Sequence, residues 1–289
     1  MQGESGENNV RKVAVVGLGL IGGSFAKAFR AAGREVLGYD RDEDTLRAAE
    51  IEAIDAVLDD STIPSCELII LAAYPEACMD WLDAKAQLVS DGAIVIDTAG
   101  IKRSVCERGF ALAEGHAWTF CGAHPMAGTH HSGLAWARAE LFQGAPIVLV
   151  PPEQEALERL DLLERMQKLL EPCGFGLWSC TTAEEHDRII AYTSQLAHVV
   201  SNAYVKSPTA KLRKGFSAGS YADLTRVAQL NPEMWAELFT ENADMLSSEL
   251  TSLIEALAAY RDALDAGDVR RLRELLAEGD RLKREDLER

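Results

Sequence analysis

KVAVVGLGLIGGS, residues 12–24, carries the strongest structural signal in the chain. Its first five residues, Lys12 to Val16, form a short run rich in valine that suits a strand buried in a parallel sheet. Gly17-Leu18-Gly19-Leu20-Ile21-Gly22 then reads GxGxxG and opens a helical stretch, Ile21 to Ala32, stopped by Gly33. A second strand, Glu35 to Tyr39, ends at Asp40, 23 residues after Gly17. Strand, glycine turn, helix, strand and acid in this order form the cradle a dinucleotide needs. Gly17 permits the tight turn, Gly19 lets the backbone approach a pyrophosphate, and Gly22 lets the helix pack closely on the sheet. The free N–H groups of the helix N-terminus face the phosphates. The candidate cofactor contacts are therefore Gly17, Leu18, Gly19, Leu20, Ile21 and Gly22, with Asp40 accepting from the adenine ribose hydroxyls. A carboxylate there repels a 2′-phosphate and favours NAD over NADP, although Arg41 beside it is able to accommodate that phosphate. The competing reading is a glycine turn that binds nothing.

Outward from the cradle, apolar runs recur at Leu68–Ala72 and Ala93–Ile96 with helical stretches between them. This alternation predicts a Rossmann-type, doubly wound parallel sheet. Less regular runs follow at Trp118–Cys121 and Pro146–Val150, then a helix over about 153–170 and a last strand near 175–180. From Thr181 the texture turns helical. Thr181 with Glu184, or Thr182 with Glu185, forms a capping box, and breaks fall at Ser207-Pro208, Gly215–Gly219, Asn231-Pro232 and Gly267. The expected organisation is a disordered lead-in over 1–10, a nucleotide-binding α/β domain over 11–180 and an all-α domain over 181–289.

Composition narrows the function. The 289 residues carry 29 Lys and Arg against 46 Asp and Glu, a net charge of −17. That argues against nucleic acid, whose backbone rewards clustered cations, and requires any anionic substrate to be held by local positive groups. No apolar run approaches the roughly 20 residues of a membrane span, and the polar N-terminus lacks a signal-peptide core. No CxxC pair occurs among the six cysteines, so reduced thiols and a cytoplasmic location are expected.

The densest chemical signal is GAHPMAGTHHSG, residues 122–133, which holds three of the six histidines. The spacing predicts a loop after a short strand, stiffened by Pro125 and Gly128, that places His124 near the carboxyl edge of the sheet, where such folds bind ligands. A histidine there is able to take the proton from an alcohol as hydride leaves its carbon. Two alternatives stand beside it: a hydrogen-bonded structural histidine, and a metal held by His124, His130 and His131. No carboxylate or cysteine lies at ligand spacing for the metal, so none is expected.

GLGLIGGS (17–24), IDTAGIK (96–102), HPMAGTHHSG (124–133), SQLAH (194–198) and YADLTRVAQLNPEMW (221–235) follow one another in the order seen in prephenate dehydrogenases of tyrosine biosynthesis, including arogenate-using relatives. The chain resembles that family over nearly all of residues 11–265. The resemblance implies an NAD-linked oxidative decarboxylation, giving 4-hydroxyphenylpyruvate from prephenate or tyrosine from arogenate. It implies His124 as the catalytic histidine, His198 as a substrate-binding histidine, and Arg226 as the arginine that grips a substrate carboxylate. From the residues alone, His198 could equally sit in a polar helix core, and Arg226 could form a helical ion pair with Asp223. Gln195 shares the face of His198 one turn earlier, and Thr129 and His130 line the same expected pocket.

Three positions depart from the family pattern. Gly100 stands where many relatives carry a serine that orients the catalytic histidine, so the orienting bond is expected from Thr98, Lys102 or water. His130 replaces an acidic residue, which removes a partner for the ammonium of arogenate and tilts the reading toward prephenate. Gln195 replaces a histidine. A homodimer through the helical domain is expected, and with the chain ending at Arg289 no regulatory ACT domain is expected. A β-hydroxyacid-type dehydrogenase and a non-catalytic NAD sensor are the competing functions.

Overall fold

Period-two burial in the first strand sets the layers. β1 (Lys12–Val16) turns Val13 and Val15 to one face of the sheet and Ala14 and Val16 to the other, all four buried, which requires helices on both faces. The computed structural model describes residues 12–129, 131–216 and 219–288, so the expected lead-in lies outside the described residues. After β1 come α1 (Leu20–Ala31), β2 (Glu35–Tyr39), α2 (Glu43–Glu52), a short β3 (Ala56–Val57), β4 (Cys66–Leu71), α3 (Pro75–Lys85), β5 (Ile94–Asp97) and α4 (Arg103–Ala113). They are followed by β6 (Thr119–Pro125), β7 (Pro146–Val150), α5 (Ala156–Leu170) and β8 (Leu177–Cys180).

The strands form one sheet in the order β3-β2-β1-β4-β5-β6-β7-β8. The chain reverses its direction of travel between β1 and β4, and the crevice beyond their carboxyl ends is the ligand position of this topology. One core layer holds Val13, Phe25, Phe29, Leu68, Ile96 and Phe142, and the other holds Ala14, Ile69, Leu71, Val95 and Phe120. Phe25 packs on Phe142 with ring centroids 4.3 Å apart. Burying an aromatic side chain of this kind contributes about 1.5–3 kcal/mol.

The sheet departs from the parallel expectation at one end. β6 and β7 pair antiparallel, with His124 opposite Val148, and β8 is parallel to β7. Among the described residues, the connection from Pro125 to Pro146 holds a single 3₁₀ turn (Leu134–Trp136) rather than a crossover helix, and β7 returns beside β6 in the opposite sense. The helix α5 then provides the crossover that keeps β8 parallel to β7.

Beyond β8 the chain is helical: α6 (Ala183–Ile190), a π turn (Ala191–Leu196), α7 (Ala197–Tyr204), α8 (Gly219–Thr225), α9 (Pro232–Glu241), α10 (Ala243–Asp265) and α11 (Val269–Leu287). Thr182 caps α6 by accepting the Glu185 N–H at 3.2 Å, the second of the two capping boxes considered. All six cysteines are free thiols. No helix among the described residues is long and apolar enough to cross a membrane.

Candidate active site

The cradle is built from backbone. Gly17 has φ +87°, and a Cβ on it would lie 2.5 Å from the Ala72 carbonyl oxygen at the end of β4. A Cβ on Gly22 would lie 1.8 Å from the Gly17 carbonyl oxygen. Both positions exclude a side chain, the first also by conformation. Gly19 is the N-cap of α1, makes no side-chain cap, and has nothing within 4 Å of where a Cβ would be. With no acid in its first turn, α1 presents unpaired N–H groups and the positive end of its dipole to this open space. Asp40 is fixed above the turn: its Oδ2 accepts the Leu18 N–H at 2.7 Å and its Oδ1 accepts the Asp42 N–H at 2.9 Å. Leu18 buries its side chain in the core and gives its N–H to Asp40, which closes the turn. Arg41 is exposed. The residues present fit a dinucleotide pyrophosphate and its adenine ribose.

His124 lies on a strand and not in a loop. The antiparallel pairing with β7 extends β6 through Pro125 and holds the histidine backbone rigidly, a pairing that the sequence runs did not reveal. The His124 ring is half-buried, and its Nδ1 lies 2.9 Å from Nε2 of His186 on α6. His186 Nδ1 in turn lies 2.7 Å from Oδ1 of Asp187. Asp187 is fully buried and accepts the backbone N–H groups of Lys102 at 2.8 Å and Arg103 at 3.0 Å, the first N–H groups of α4. Burial holds the His124 ring well below the ordinary histidine range, and the neighbouring His186 and Lys102 push the same way. Burial also lowers His186, against the opposing pull of Asp187.

The bond that orients His124 therefore comes from His186, and not from the two side chains expected to supply it. Thr98 points its hydroxyl at the Leu71 carbonyl, 3.4 Å away, and the Lys102 ammonium is buried against the Asp97 carboxylate. Gly100 lies beneath α9, where a Cβ would make ordinary contact with Leu238 at 3.5 Å.

The helical residues divide. His198 is half-buried, packs on the Trp235 ring with centroids 4.1 Å apart, and has its Nδ1 3.2 Å from the Val227 carbonyl oxygen. Burial lowers its pKa, and the charge of Arg226 adds to that. Arg226 is exposed in the turn just after α8, and no ion pair joins it to Asp223 among the described residues. Gln195 braces the helical domain from within. It is buried, its Nε2 donates to the Leu238 carbonyl at 2.8 Å, and its Oε1 accepts from Asn242 Nδ2 at 2.8 Å. Thr129 is exposed and bonds within its own turn to His131. His131 stacks on Trp136 at 3.6 Å, and His130 lies outside the described residues. Among the described residues no group of three or more metal-ligating side chains converges.

Sequence reading missed His186 and Asp187. Their signal is the stripe Ala183, His186, Asp187, Ile190 at i, i+3, i+4, i+7, which places an ionisable pair on the buried face of an amphipathic helix. Arg103 secures the same junction, reaching Asp187, Asn242 at 2.9 Å and Asp244 at 2.8 Å. Its guanidinium holds the Asp244 carboxyl down to about 2.

Residues 25–175 match the family model described as prephenate dehydrogenase, nucleotide-binding domain, and residues 182–278 match prephenate dehydrogenase, dimerization domain. The chain is 32% identical over 271 residues to cyclohexadienyl dehydrogenase of Zymomonas mobilis, spanning 89% of this chain and 90% of that one. The crystal structure of Synechocystis arogenate dehydrogenase superposes with a TM-score of 0.76 at 31% identity, covering 94% of this chain and 99% of that one. Prephenate dehydrogenase from A. aeolicus, in complex with hydroxyphenyl propionate and NAD+, gives a TM-score of 0.79 at 26% identity, covering 96% and 98%.

Proposed function

The chain belongs to the prephenate dehydrogenase family, and from that premise we propose that it converts prephenate to 4-hydroxyphenylpyruvate by NAD-dependent oxidative decarboxylation. The observation that carries this reading is His124, held by a hydrogen bond to His186 of α6 at the carboxyl edge of the sheet that also carries the glycine cradle.

Bound NAD supplies the hydride acceptor, seated by the α1 N-terminus, Gly17, Gly19 and Asp40. The residues of this chain handle the proton and the orientation. His124 accepts the proton of the ring hydroxyl through Nε2, the ring nitrogen that faces away from His186. Its lowered pKa keeps it neutral, and so able to accept, at neutral pH. Arg226 engages a carboxylate with two parallel N–H bonds, and His198, steadied by Val227 and Trp235, offers its remaining ring nitrogen to the substrate. Loss of CO2 makes the ring aromatic, so the step is strongly downhill once the hydroxyl proton is removed, and the protein mainly fixes geometry.

The likeness to an arogenate dehydrogenase at 31% identity supports a second reading, in which arogenate is the substrate and tyrosine the product. His130, in place of an acid, favours the keto acid over the ammonium-bearing one. NADH formation with prephenate and arogenate in parallel, each with NAD and NADP, separates the readings. Turnover on prephenate with NAD is expected. Turnover on arogenate alone replaces the first reading with the second, and silence on both acids contradicts the proposed activity.

A further inference from the structure

We propose that His186 and Asp187 form a positioning relay behind His124: they hold it in the tautomer whose Nε2 is bare, and His186 takes over one imidazole proton when His124 accepts another from the substrate. The proposal rests on the reading of His124 as the base.

The tautomers follow from the donors around Asp187. Its Oδ1 accepts the Lys102 N–H, and its Oδ2 accepts the Arg103 N–H together with the Arg103 Nε–H at 3.3 Å. Backbone N–H and guanidinium groups only donate, so Asp187 serves every neighbour as an acceptor carboxylate. The fourth neighbour, His186 Nδ1 at 2.7 Å, must then carry its proton. A neutral His186 with a protonated Nδ1 has a lone pair on Nε2, and the 2.9 Å approach of His124 Nδ1 closes a hydrogen bond only when that nitrogen carries the proton. His124 is left with a bare Nε2, the state a general base requires.

The charges around the two rings give the direction of transfer. On His124, the neighbouring His186 and Lys102 both disfavour a positive charge. On His186, Lys102 disfavours it, but Asp187 in direct contact and Asp97 nearby both favour it. An imidazolium is therefore better placed on His186. In the step, the substrate O–H bond breaks and a proton bonds to His124 Nε2. The His124 Nδ1–H bond breaks and that proton bonds to His186 Nε2, leaving His124 neutral and the charge paired with Asp187. Because Asp187 sits on α6 and caps α4, the relay exists only when the helical domain is docked on the sheet.

Two measurements test the relay, one of them without cofactor or substrate. Long-range nitrogen–proton NMR of the histidine rings in the free enzyme is expected to show both His124 and His186 protonated at Nδ1 near neutral pH. In Asp187→Asn, an amide donor facing His186 is expected to reverse both rings, as in triads that lose their carboxylate. His186→Gln keeps an acceptor for His124 but cannot take a proton. It is expected to lose about ten- to a hundredfold in kcat and to move the acid limb of kcat/KM down by about one pH unit, with KM within about threefold. A purely structural role would leave that limb in place. A free enzyme with His124 protonated at Nε2, or a His186→Gln enzyme with wild-type kcat and pH profile, overturns the relay. If His124→Asn also keeps full activity, the base assignment itself fails. If His124→Asn is inactive while His186→Gln is unchanged, only the relay fails.

Discussion

Arg226 shows how a side chain that pairs with no carboxylate among the described residues can be matched to a charge outside the protein. It is exposed, pairs with no carboxylate among the described residues, and lies close enough to His198 to bear on its titration. A guanidinium left open beside a polar ring suits an incoming carboxylate. Replacing Arg226 with alanine is expected to raise KM for the acid about ten- to a hundredfold, or roughly 1.4–2.8 kcal/mol of lost binding, with kcat changed far less. Steady-state kinetics check this, and a fall in kcat at unchanged KM would place Arg226 in the chemical step instead. The helical ion pair with Asp223 that spacing allowed does not form, because α8 ends at Thr225 and leaves Arg226 in the following turn. His124, Gly17, Gly22 and Asp40 were all legible from the sequence, since each sits in a short motif whose geometry is local. His186 and Asp187 were not, because their partners are 62 and 85 residues away in sequence and only tertiary packing joins them.

At the scale of elements, the departures have two causes. β6 is longer than its apolar run, because antiparallel pairing with β7 adds His124 and Pro125 to the strand, and pairing partners are not written in a strand's own residues. The π turn over Ala191–Leu196 has no composition signal either. Its consequence is a change of register. His186 and His198 are 12 residues apart, about a third of a turn out of phase on a regular α-helix of 3.6 residues per turn. One residue absorbed by the wider turn brings the pair to about three whole turns. Gln195, inside that turn, ties it to α9 through Leu238 and to α10 through Asn242. The glutamine read as a pocket residue thus helps to hold the register that presents His198.

For the whole molecule, the net charge of −17 would oppose the proposed anionic substrate, and one stretch of the helical domain departs from it. Residues 189–222 contain Lys206, Lys211, Arg213 and Lys214 and no carboxylate. The dimerization-domain match over 182–278 includes the stretch of α10 and α11 that leaves Ile254, Leu257, Leu264 and Leu276 exposed. Acid sensitivity is also a property of the whole. His124, His186 and His198 all titrate below the ordinary histidine value in the folded protein. Below about pH 6.5 the unfolded chain therefore binds protons that the folded chain refuses. The stability these histidines contribute is full above that pH and is lost as pH falls through their lowered folded values. The melting temperature is expected to drop by several degrees between pH 7.5 and 5, and a midpoint constant across that range would contradict the burial of neutral imidazoles.

The proposed chemistry turns on His124 removing the substrate proton. Its most direct test is the turnover of His124→Asn on prephenate with NAD, beside a binding titration of NAD to the same variant. A loss in kcat of about two orders of magnitude or more is expected, with NAD affinity unchanged because the cradle lies on other residues. A variant that turns over prephenate at close to the wild-type rate would contradict it.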